Sequence, residues 1–302
     1  MLLGDITRRN AQLYPSRMAV IEGDNRLNHL ELDQRTNRVA NAIINLGLDK
    51  EDRVAVLNHN CFQFIELYFG VAKAGMTIVP LNFRMEAREL AYTLNDSESK
   101  VLIFGKTYAP LVEAIKDQVP SVKYFICFEP VQNGFLDYSD VIEASSDIDP
   151  YVPMDEYDMV ILCYTGGTTG KPKGVMVTHR GLITNCHSYG LTIHFHPGVV
   201  YLNVAPVFHA GDCSGMLSTI FAGGCNVFTN SSEPEDILET IEKYRITYTI
   251  LVPSVILRMI QYEGLEKYDI SSWEYLMYGT APMPLEPLKQ ALKTLKLSLI
   301  HI

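Results

Sequence analysis

The chain has 302 residues, of which 47% are hydrophobic and 20% charged, and 35 acidic against 25 basic residues give a formal net charge of −10. This composition excludes disordered, collagen-like and coiled-coil proteins, and the length suits one large or two closely packed domains. Because an acidic protein without a basic run repels phosphate backbones, we expect no nucleic-acid partner. An anionic ligand would therefore need a local binding device.

Short β-rich runs alternate with amphipathic stretches along the chain. A helix is predicted over residues 30–46, where apolar residues recur every three or four positions and stop before Gly47. The alternation predicts an α/β protein with mostly parallel sheets. The predicted strands are 54–57, 77–80, 100–104, 124–128, 159–164, 174–178, 200–204, 226–229, 248–252 and 275–278.

The acidic, turn-rich segment 132–153 is expected to join two α/β halves. We place a first subdomain at residues 1–150 and a second, containing the glycine-rich loop described next, at residues 151–302. The six cysteines are scattered without a CxxC pair, mostly in apolar runs, which indicates small buried side chains in a reducing compartment, taken to be the cytoplasm. The amino terminus has no signal-peptide core, and no apolar run approaches the ~20 residues of a transmembrane helix.

The strongest local signal is the segment YTGGTTGKPKG, residues 164–174, which lies between two predicted strands. Four glycines, three threonines and two lysines fall within these eleven positions. Glycine lets backbone amides approach a ligand closely, and successive free amides form an anion-binding nest, to which threonine hydroxyls and lysines add donors. The segment is therefore predicted to be a loop that binds a polyphosphate, and we call it the phosphate loop.

Other interpretations of this loop are weaker. A P-loop, GxxxxGK[ST], would need glycine at the position of Thr165 and serine or threonine at the position of Pro172. The dinucleotide pattern GxGxxG lacks its first glycine, and no helix follows directly. A plain hairpin needs only a turn pair, not a cluster of glycine, threonine and lysine.

The sequence YTGGTTGKPKGV closely resembles the phosphate-binding signature of the adenylate-forming superfamily, which includes acyl-CoA synthetases, aryl-CoA ligases, luciferases and peptide-synthetase adenylation domains. The common form has serine where this chain has Gly166. Five further segments resemble family motifs in family order, although Asn28 and His29 depart from the first of them. The resemblance covers nearly the whole chain and implies the N-terminal domain of this fold, an α/β domain with two mostly parallel β-sheets flanked by helices. The five segments are 27–43, 70–82, 94–103, 206–212 and 278–284.

The resemblance also implies roles for single residues. Lys173 and His209 are the implied catalytic residues, with His209 at the mouth of the acid pocket near the substrate carboxylate. His209, Gly279 and Thr280 would contact the acid, whereas Lys171 occupies a variable position and is expected to be a solvated charge. The implied nucleotide-binding residues are Thr165, Gly166, Gly167, Thr168, Thr169, Gly170, Lys173, Gly279, Thr280, Ala281 and Pro282.

The implied reaction is the ATP-dependent activation of a carboxylic acid. The acid attacks the α-phosphate of ATP, pyrophosphate leaves, and the thiol of coenzyme A then attacks the acyl-adenylate, so that ATP, Mg²⁺ and coenzyme A are implied. Such catalysis consists of positioning and charge neutralisation and needs no protein nucleophile. Amino-acid-activating relatives have an aspartate at the position of His209, and a buried unpaired ammonium would be costly, so we expect a fatty or aryl acid. The resemblance also allows a homodimer.

Family members continue past the last motif with a Mg²⁺-binding glutamate, a ribose-binding aspartate, a hinge and a C-terminal lid domain that carries a catalytic lysine. This chain ends at LKLSLIHI, which resembles a core strand, so we expect an N-terminal fragment without the lid domain and with little thioester formation of its own. Two alternatives stay open, a truncated nucleotide- or acyl-binding protein without full turnover and an amino-acid adenylation module. His194 and His196, even with His209 and Cys213, complete no tetrahedral set, so no metal ligand is predicted.

Overall fold

The computed structural model describes residues 1–131, 134–166, 171–279, 281–295 and 298–301. None of the helices within these residues is long and apolar enough to cross a membrane. The helices are α1 Leu3–Leu13, α2 His29–Asn45, α3 Gln63–Lys73, α4 Ala87–Asp96, α5 Ala109–Ile115, α6 Tyr138–Glu143, α7 His179–Ile193, α8 Ala210–Ala222, α9 Pro234–Tyr244, α10 Pro253–Ile260 and α11 Leu285–Leu295. The strands are β1 Met18–Glu22, β2 Asn25–Asn28, β3 Arg53–Leu57, β4 Thr77–Pro80, β5 Val101–Phe104, β6 Tyr124–Cys127, β7 Leu136–Asp137, β8 Met159–Thr165, β9 Lys173–Thr178, β10 Val200–Asn203, β11 Cys225–Phe228, β12 Tyr248–Leu251, β13 Tyr275–Tyr278 and β14 Ser298–His301.

The chain forms two compact units, and each contains one seven-stranded sheet. Unit 1 comprises residues 1–15, 30–59 and 63–185, and unit 2 comprises residues 16–29, 60–62 and 186–302. The expected boundary between residues 150 and 151 instead falls inside unit 1. The reason is strand pairing, because β8 joins β4 in parallel and β9 joins β8 in an antiparallel hairpin, so that both strands and the phosphate loop between them belong to unit 1.

The two sheets have the same strand order. The order is β7-β6-β5-β3-β4-β8-β9 in unit 1 and β14-β13-β12-β10-β11-β1-β2 in unit 2. In each sheet, five strands that are consecutive in sequence run parallel, in the spatial order fifth, fourth, third, first, second. A hairpin then completes the sheet, β8–β9 beside β4 in unit 1 and β1–β2 beside β11 in unit 2. Its inner strand is parallel to the other five and its outer strand is antiparallel. The prediction of two mostly parallel sheets flanked by helices is confirmed, and all ten predicted strands are present.

Side chains of the unit 2 strands alternate between two cores, as the period of a β-strand requires. On β10, Leu202 packs in the core formed with α9, α10 and α11, whereas its neighbour Tyr201 packs in an aromatic cluster on the other face. On β13, Leu276 and Tyr278 belong to the first core and Met277 to the second. Burial on both faces explains why these strands read as continuous apolar runs in the sequence.

Helix α3 is buried in unit 1 together with two charged side chains. Ten of its eleven residues are buried, including Glu66 and Lys73. Arg35 of α2 pairs with Glu66, and Lys73 Nζ donates to Asp33 Oδ1 at 2.5 Å and to Asn37 Oδ1 at 2.6 Å. Because an unpaired buried charge costs about 3–5 kcal/mol, these contacts fix α3 against α2 in one arrangement.

The buried imidazole of His179 makes the stability of unit 1 depend on pH. His179 begins α7, and its Nδ1 accepts a hydrogen bond from the Leu3 N–H at 3.0 Å, which ties α1 to the end of β9. Burial lowers the pKa of His179 to about 4. The ring is therefore neutral in the folded protein but protonates near pH 6.5 once the chain unfolds.

We expect the free energy of unfolding to be constant, as far as His179 is concerned, above pH 6.5 and to fall by roughly 3 kcal/mol as the pH decreases from 6.5 to 4. His179→Asn keeps a hydrogen-bond acceptor but does not titrate, so it should flatten this part of the profile. Urea unfolding of both proteins between pH 4.5 and 7.5 measures the difference. An unchanged slope in the variant would show that other groups cause the pH dependence.

Candidate functional site

The described ends of the phosphate loop are exposed at the end of the β8–β9 hairpin. Thr165 and Lys173 face each other across the two strands as the last paired residues, and both are exposed. The loop follows the carboxyl end of β8, and β8 runs parallel to β4. In open α/β sheets, ligands bind at the carboxyl ends of the parallel strands. The predicted residues Gly167, Thr168, Thr169 and Gly170 lie outside the described residues.

Gly166 lies in open space at the start of the loop. A Cβ built there meets no atom of the described residues within 4 Å, and the φ of Gly166 does not lie in the left-handed region. Neither space nor backbone conformation therefore requires glycine at this position. The serine of the common family form would fit here, so the substitution removes a hydroxyl donor without a structural cause.

His209 is the N-cap of α8 and is exposed. Its Nδ1 accepts a hydrogen bond from the Gly211 N–H at 3.3 Å, and the backbone N–H of His209 donates to the Pro206 carbonyl at 3.0 Å. Since Nδ1 is an acceptor, the proton of the neutral ring lies on Nε2. The imidazole is thus held at the positive end of the helix, where an anionic group is stabilised.

Asn60 supports the segment that leads to His209, a role that the sequence did not reveal. Its side chain is buried and donates to the Ala205 carbonyl at 2.7 Å, while its Oδ1 accepts from the Val207 N–H at 2.9 Å. One amide side chain therefore holds two backbone groups of the turn that follows β10. Asn60 lies in a segment of only three residues, 60–62, that belongs to unit 2, so its partners are remote in sequence.

Asp212, in the first turn of α8, is buried beneath the same segment. Tyr201 Oη donates to Asp212 Oδ1 at 2.6 Å, and burial raises the pKa of Asp212 well above its usual value. Gly215 makes this contact feasible, because a Cβ there would lie 2.3 Å from the Tyr201 hydroxyl oxygen. Asp212 is thus a buried carboxyl group that accepts a hydrogen bond from Tyr201, and not an exposed anion.

The predicted segment 278–284 follows the carboxyl end of β13. Gly279 is buried directly after the strand, whereas Ala281 and Pro282 are exposed, and Thr280 lies outside the described residues. The neighbouring strands β10 and β12 run parallel to β13, so the turn before His209 and the start of α10 at Pro253 leave the same edge of the sheet. Strand order reverses between β10 and β12, which is the position where such sheets form a ligand crevice.

Unit 2 therefore brings the His209 and Gly279 segments to one sheet edge, and unit 1 contains Thr165, Gly166 and Lys173. Of the two histidines at positions 194 and 196, His196 accepts a hydrogen bond at Nδ1 from the Gly198 N–H at 3.0 Å. In the part of the chain that the structure describes, no group of three His, Cys, Asp or Glu could hold a metal ion.

Comparison with known proteins gives consistent matches. The family model described as AMP-binding enzyme matches residues 7–302. The feruloyl-CoA synthase of an Amycolatopsis species is 33% identical over 288 residues, which cover 93% of this chain and 55% of that protein. The 4-hydroxybutyrate–CoA ligase 2 of Metallosphaera sedula is 30% identical over 288 residues, which cover 91% of this chain and 52% of that protein.

Among solved structures, the inhibitor-bound N-terminal domain of FACL13 from Mycobacterium tuberculosis is similar to this chain with a TM-score of 0.93 and 28% identity. The match covers 99% of this chain and 75% of that one. The chain spans about half the length of the curated relatives it matches.

Replacing Asn60 tests its support of the segment before His209. Asn60→Ala removes both hydrogen bonds to residues 205 and 207 and should destabilise unit 2 by about 1–3 kcal/mol. Trp273, the one tryptophan in the sequence, is buried in unit 2, so its fluorescence during urea unfolding reports this loss. Asn25→Ala, at an exposed position of β2, is the matched control and should change stability by less than about 0.5 kcal/mol. Equal stability of the two variants would refute the role of Asn60.

Proposed function

The chain belongs to the AMP-binding enzyme family, and from this premise we propose that it serves an acid–thiol ligase that activates a carboxylic acid with ATP and transfers the acyl group to coenzyme A. The observation that carries the proposal is the position of the phosphate loop after the carboxyl end of β8, where the exposed Thr165 and Lys173 pair at its base. In a protein with a net charge of −10, this loop is a local device for an anion.

The residues at the loop ends suit a nucleotide polyphosphate. Thr165 offers a hydroxyl donor, Gly166 leaves its backbone open to a ligand, and Lys173 supplies an exposed positive charge at the base of the loop. Magnesium, when bound with the nucleotide, would neutralise phosphate charge. Because the described residues contain no metal-binding group of three, we assign no protein ligand to it.

On the acid side, His209 and the start of α8 suit a carboxylate. The Nδ1 atom of His209 is occupied by the Gly211 N–H, so the Nε2 proton is the one free to meet a carboxylate or adenylate oxygen. The acid itself is the nucleophile toward the α-phosphate. The buried thiols fit this scheme, because burial raises the pKa of Cys186 to about 11 and that of Cys225 to about 12, so both stay protonated and unreactive.

We propose a fatty or aryl acid as the substrate rather than an amino acid. An amino acid would bring an ammonium group that needs a carboxylate partner, and His209 stands where amino-acid-activating relatives have aspartate. Asp212, three residues later, does not replace it, since its carboxyl group is buried and hydrogen-bonded to Tyr201. The names of the two relatives include an aromatic and an aliphatic acid, which supports the class and leaves the individual acid open.

The proposed location is the cytoplasm, because the six cysteines, all within the described residues, form no disulfide, as in proteins of reducing compartments. A homodimer remains a hypothesis that sedimentation velocity of the purified chain can test. A second candidate function is a nucleotide- or acyl-binding protein without full turnover.

Acid-dependent exchange of pyrophosphate into ATP, measured with fatty, aryl and α-amino acids, tests the proposal. We expect exchange with a fatty or aryl acid, and a loss of kcat/KM for ATP of about 10²-fold in Lys173→Ala, because a positioned charge is removed from the phosphates. Lys123→Ala, at an exposed position of the same unit, is the control and should leave exchange unchanged.

A clear preference for α-amino acids would instead identify an adenylation module. Binding of ATP without any acid-dependent exchange would favour the second candidate function.

Gly166→Ser tests whether the missing hydroxyl matters. Because the position is open, the variant should keep its free energy of unfolding within about 0.5 kcal/mol and lower the Kd for MgATP about threefold through one added hydrogen bond. Gly166→Ala adds the Cβ without the hydroxyl and should bind MgATP as the unchanged protein does. Titration calorimetry measures all three, and equal affinities for the alanine and serine variants would contradict the expectation.

A further inference from the structure

The last turn of α4 contacts both described ends of the phosphate loop. Tyr164, at the end of β8, donates its hydroxyl proton to Asp96 Oδ2 at 2.7 Å. Tyr92, one turn before Asp96, donates to the other carboxylate oxygen at 3.3 Å. Lys171, in the part of the loop that follows Gly170, lies with its Nζ 5.7 Å from the centre of the Tyr92 ring, within the range of a cation–π contact. We call Tyr92, Asp96, Tyr164 and Lys171 the α4 clasp.

The ring of Tyr164 is placed by the hairpin before it reaches Asp96. Tyr164 pairs with Gly174 of β9, and a Cβ at Gly174 would lie 3.4 Å from Tyr164 Cζ and 2.9 Å from Leu162 Cδ1. Because Gly174 has no side chain, the ring of Tyr164 can pack across β9 at this position. Burial and the Asp96 carboxylate raise the pKa of Tyr164, so its hydroxyl remains a donor at neutral pH.

Asp96 occupies a position that local helix energetics disfavour. It is the last residue of α4, where the helix dipole repels a negative charge, and aspartate is a poor helix former. The ion pairs among the described residues include none to Asp96, and its two carboxylate oxygens accept the two phenol hydrogen bonds instead. A residue that opposes the local preference while serving two such partners points to a role beyond helix stability.

We propose that Asp96 is a positioning residue of the phosphate loop. Its carboxylate fixes Tyr164 at the beginning of the loop. Through the ring of Tyr92, it also fixes Lys171 in the second half of the loop. With both ends held on α4, the loop loses less conformational entropy when it binds a polyphosphate, which raises affinity without a new contact to the ligand. The inference rests on the proposed function, because it assumes that the loop binds the phosphates of ATP.

The contacts also change the interpretation of Lys171. Lys171 is exposed, as expected for a solvated charge, and its Nζ also lies over the ring of Tyr92. It therefore anchors the loop rather than simply adding charge. Lys173 lies at the base of the loop and is not part of the clasp, so we assign to it the positive charge that contacts the phosphates.

The test measures Kd for MgATP and for AMP by titration calorimetry in the complete 302-residue chain. Asp96→Ala and Tyr164→Phe should each raise the Kd for MgATP about 5–20-fold, since each removes the same charged hydrogen bond. The double variant should bind no more weakly than either single variant, because the two residues act as one unit. The Kd for AMP, which lacks the β- and γ-phosphates, should stay within about twofold in all of them.

Two further variants separate positioning from general damage. Asp96→Asn retains a hydrogen-bond acceptor and should restore the Kd for MgATP to within about threefold of the unchanged protein. Asp117→Ala removes an exposed carboxylate elsewhere in unit 1 and should leave both Kd values unchanged, which controls for net charge.

Three results would overturn the proposal: MgATP affinity unchanged in Asp96→Ala, equal losses for MgATP and AMP, or additive losses in the double variant. A failure of the unchanged protein to bind MgATP would refute the proposed function first and the clasp with it.

Discussion

Parallel strands place their carboxyl ends at one edge of a sheet, and every candidate functional segment of this chain begins at such an end. Beyond the last ladder hydrogen bond, backbone amides and carbonyls are left without strand partners and can face a ligand. In unit 1 this edge carries the phosphate loop after β8, and in unit 2 it carries the segments of His209 and Gly279 after β10 and β13. Motifs that are about 70 residues apart in sequence become neighbours on one edge because their strands are parallel.

Buried polar side chains hold these edges in place. Asn60 binds two backbone groups of the turn before His209, and Asp212 binds Tyr201 beneath the first turn of α8. Such contacts contribute little net stability, but they leave a single arrangement in which the polar groups are satisfied. The same logic applies to Lys73 of α3, whose partners on α2 are specified by charge. Precision at the exposed segments thus depends on hydrogen bonds made below them.

The sequence predicted the elements that local pattern defines. Apolar runs identified ten strands, and composition identified the phosphate loop, because both signals lie within a few residues. The sequence did not predict the hairpin of β1 and β2. Strand β1 is stabilised by β11, about 200 residues later, and the polar residues of β2 show no clear alternation of apolar and polar positions. The division of the chain also depends on a remote pairing, that of Ile78 with Ile161. Asn60 and Asp96 look in sequence like any polar surface residue, and only their contacts reveal their roles.

The common strand order of the two sheets has a consequence for synthesis on the ribosome. The hairpin that completes the sheet of unit 1 is translated last, whereas the hairpin that completes the sheet of unit 2 is translated first. At ~5–20 residues per second, β1 leaves the ribosome about 10–40 s before its partner β11 exists. During this interval the nascent chain carries a strand that contains Val20 and Ile21 and lacks its parallel partner, so that one edge is a template for aggregation. The polar strand β2, with the exposed Arg26, already covers one edge of β1 at that stage and so protects the growing polypeptide.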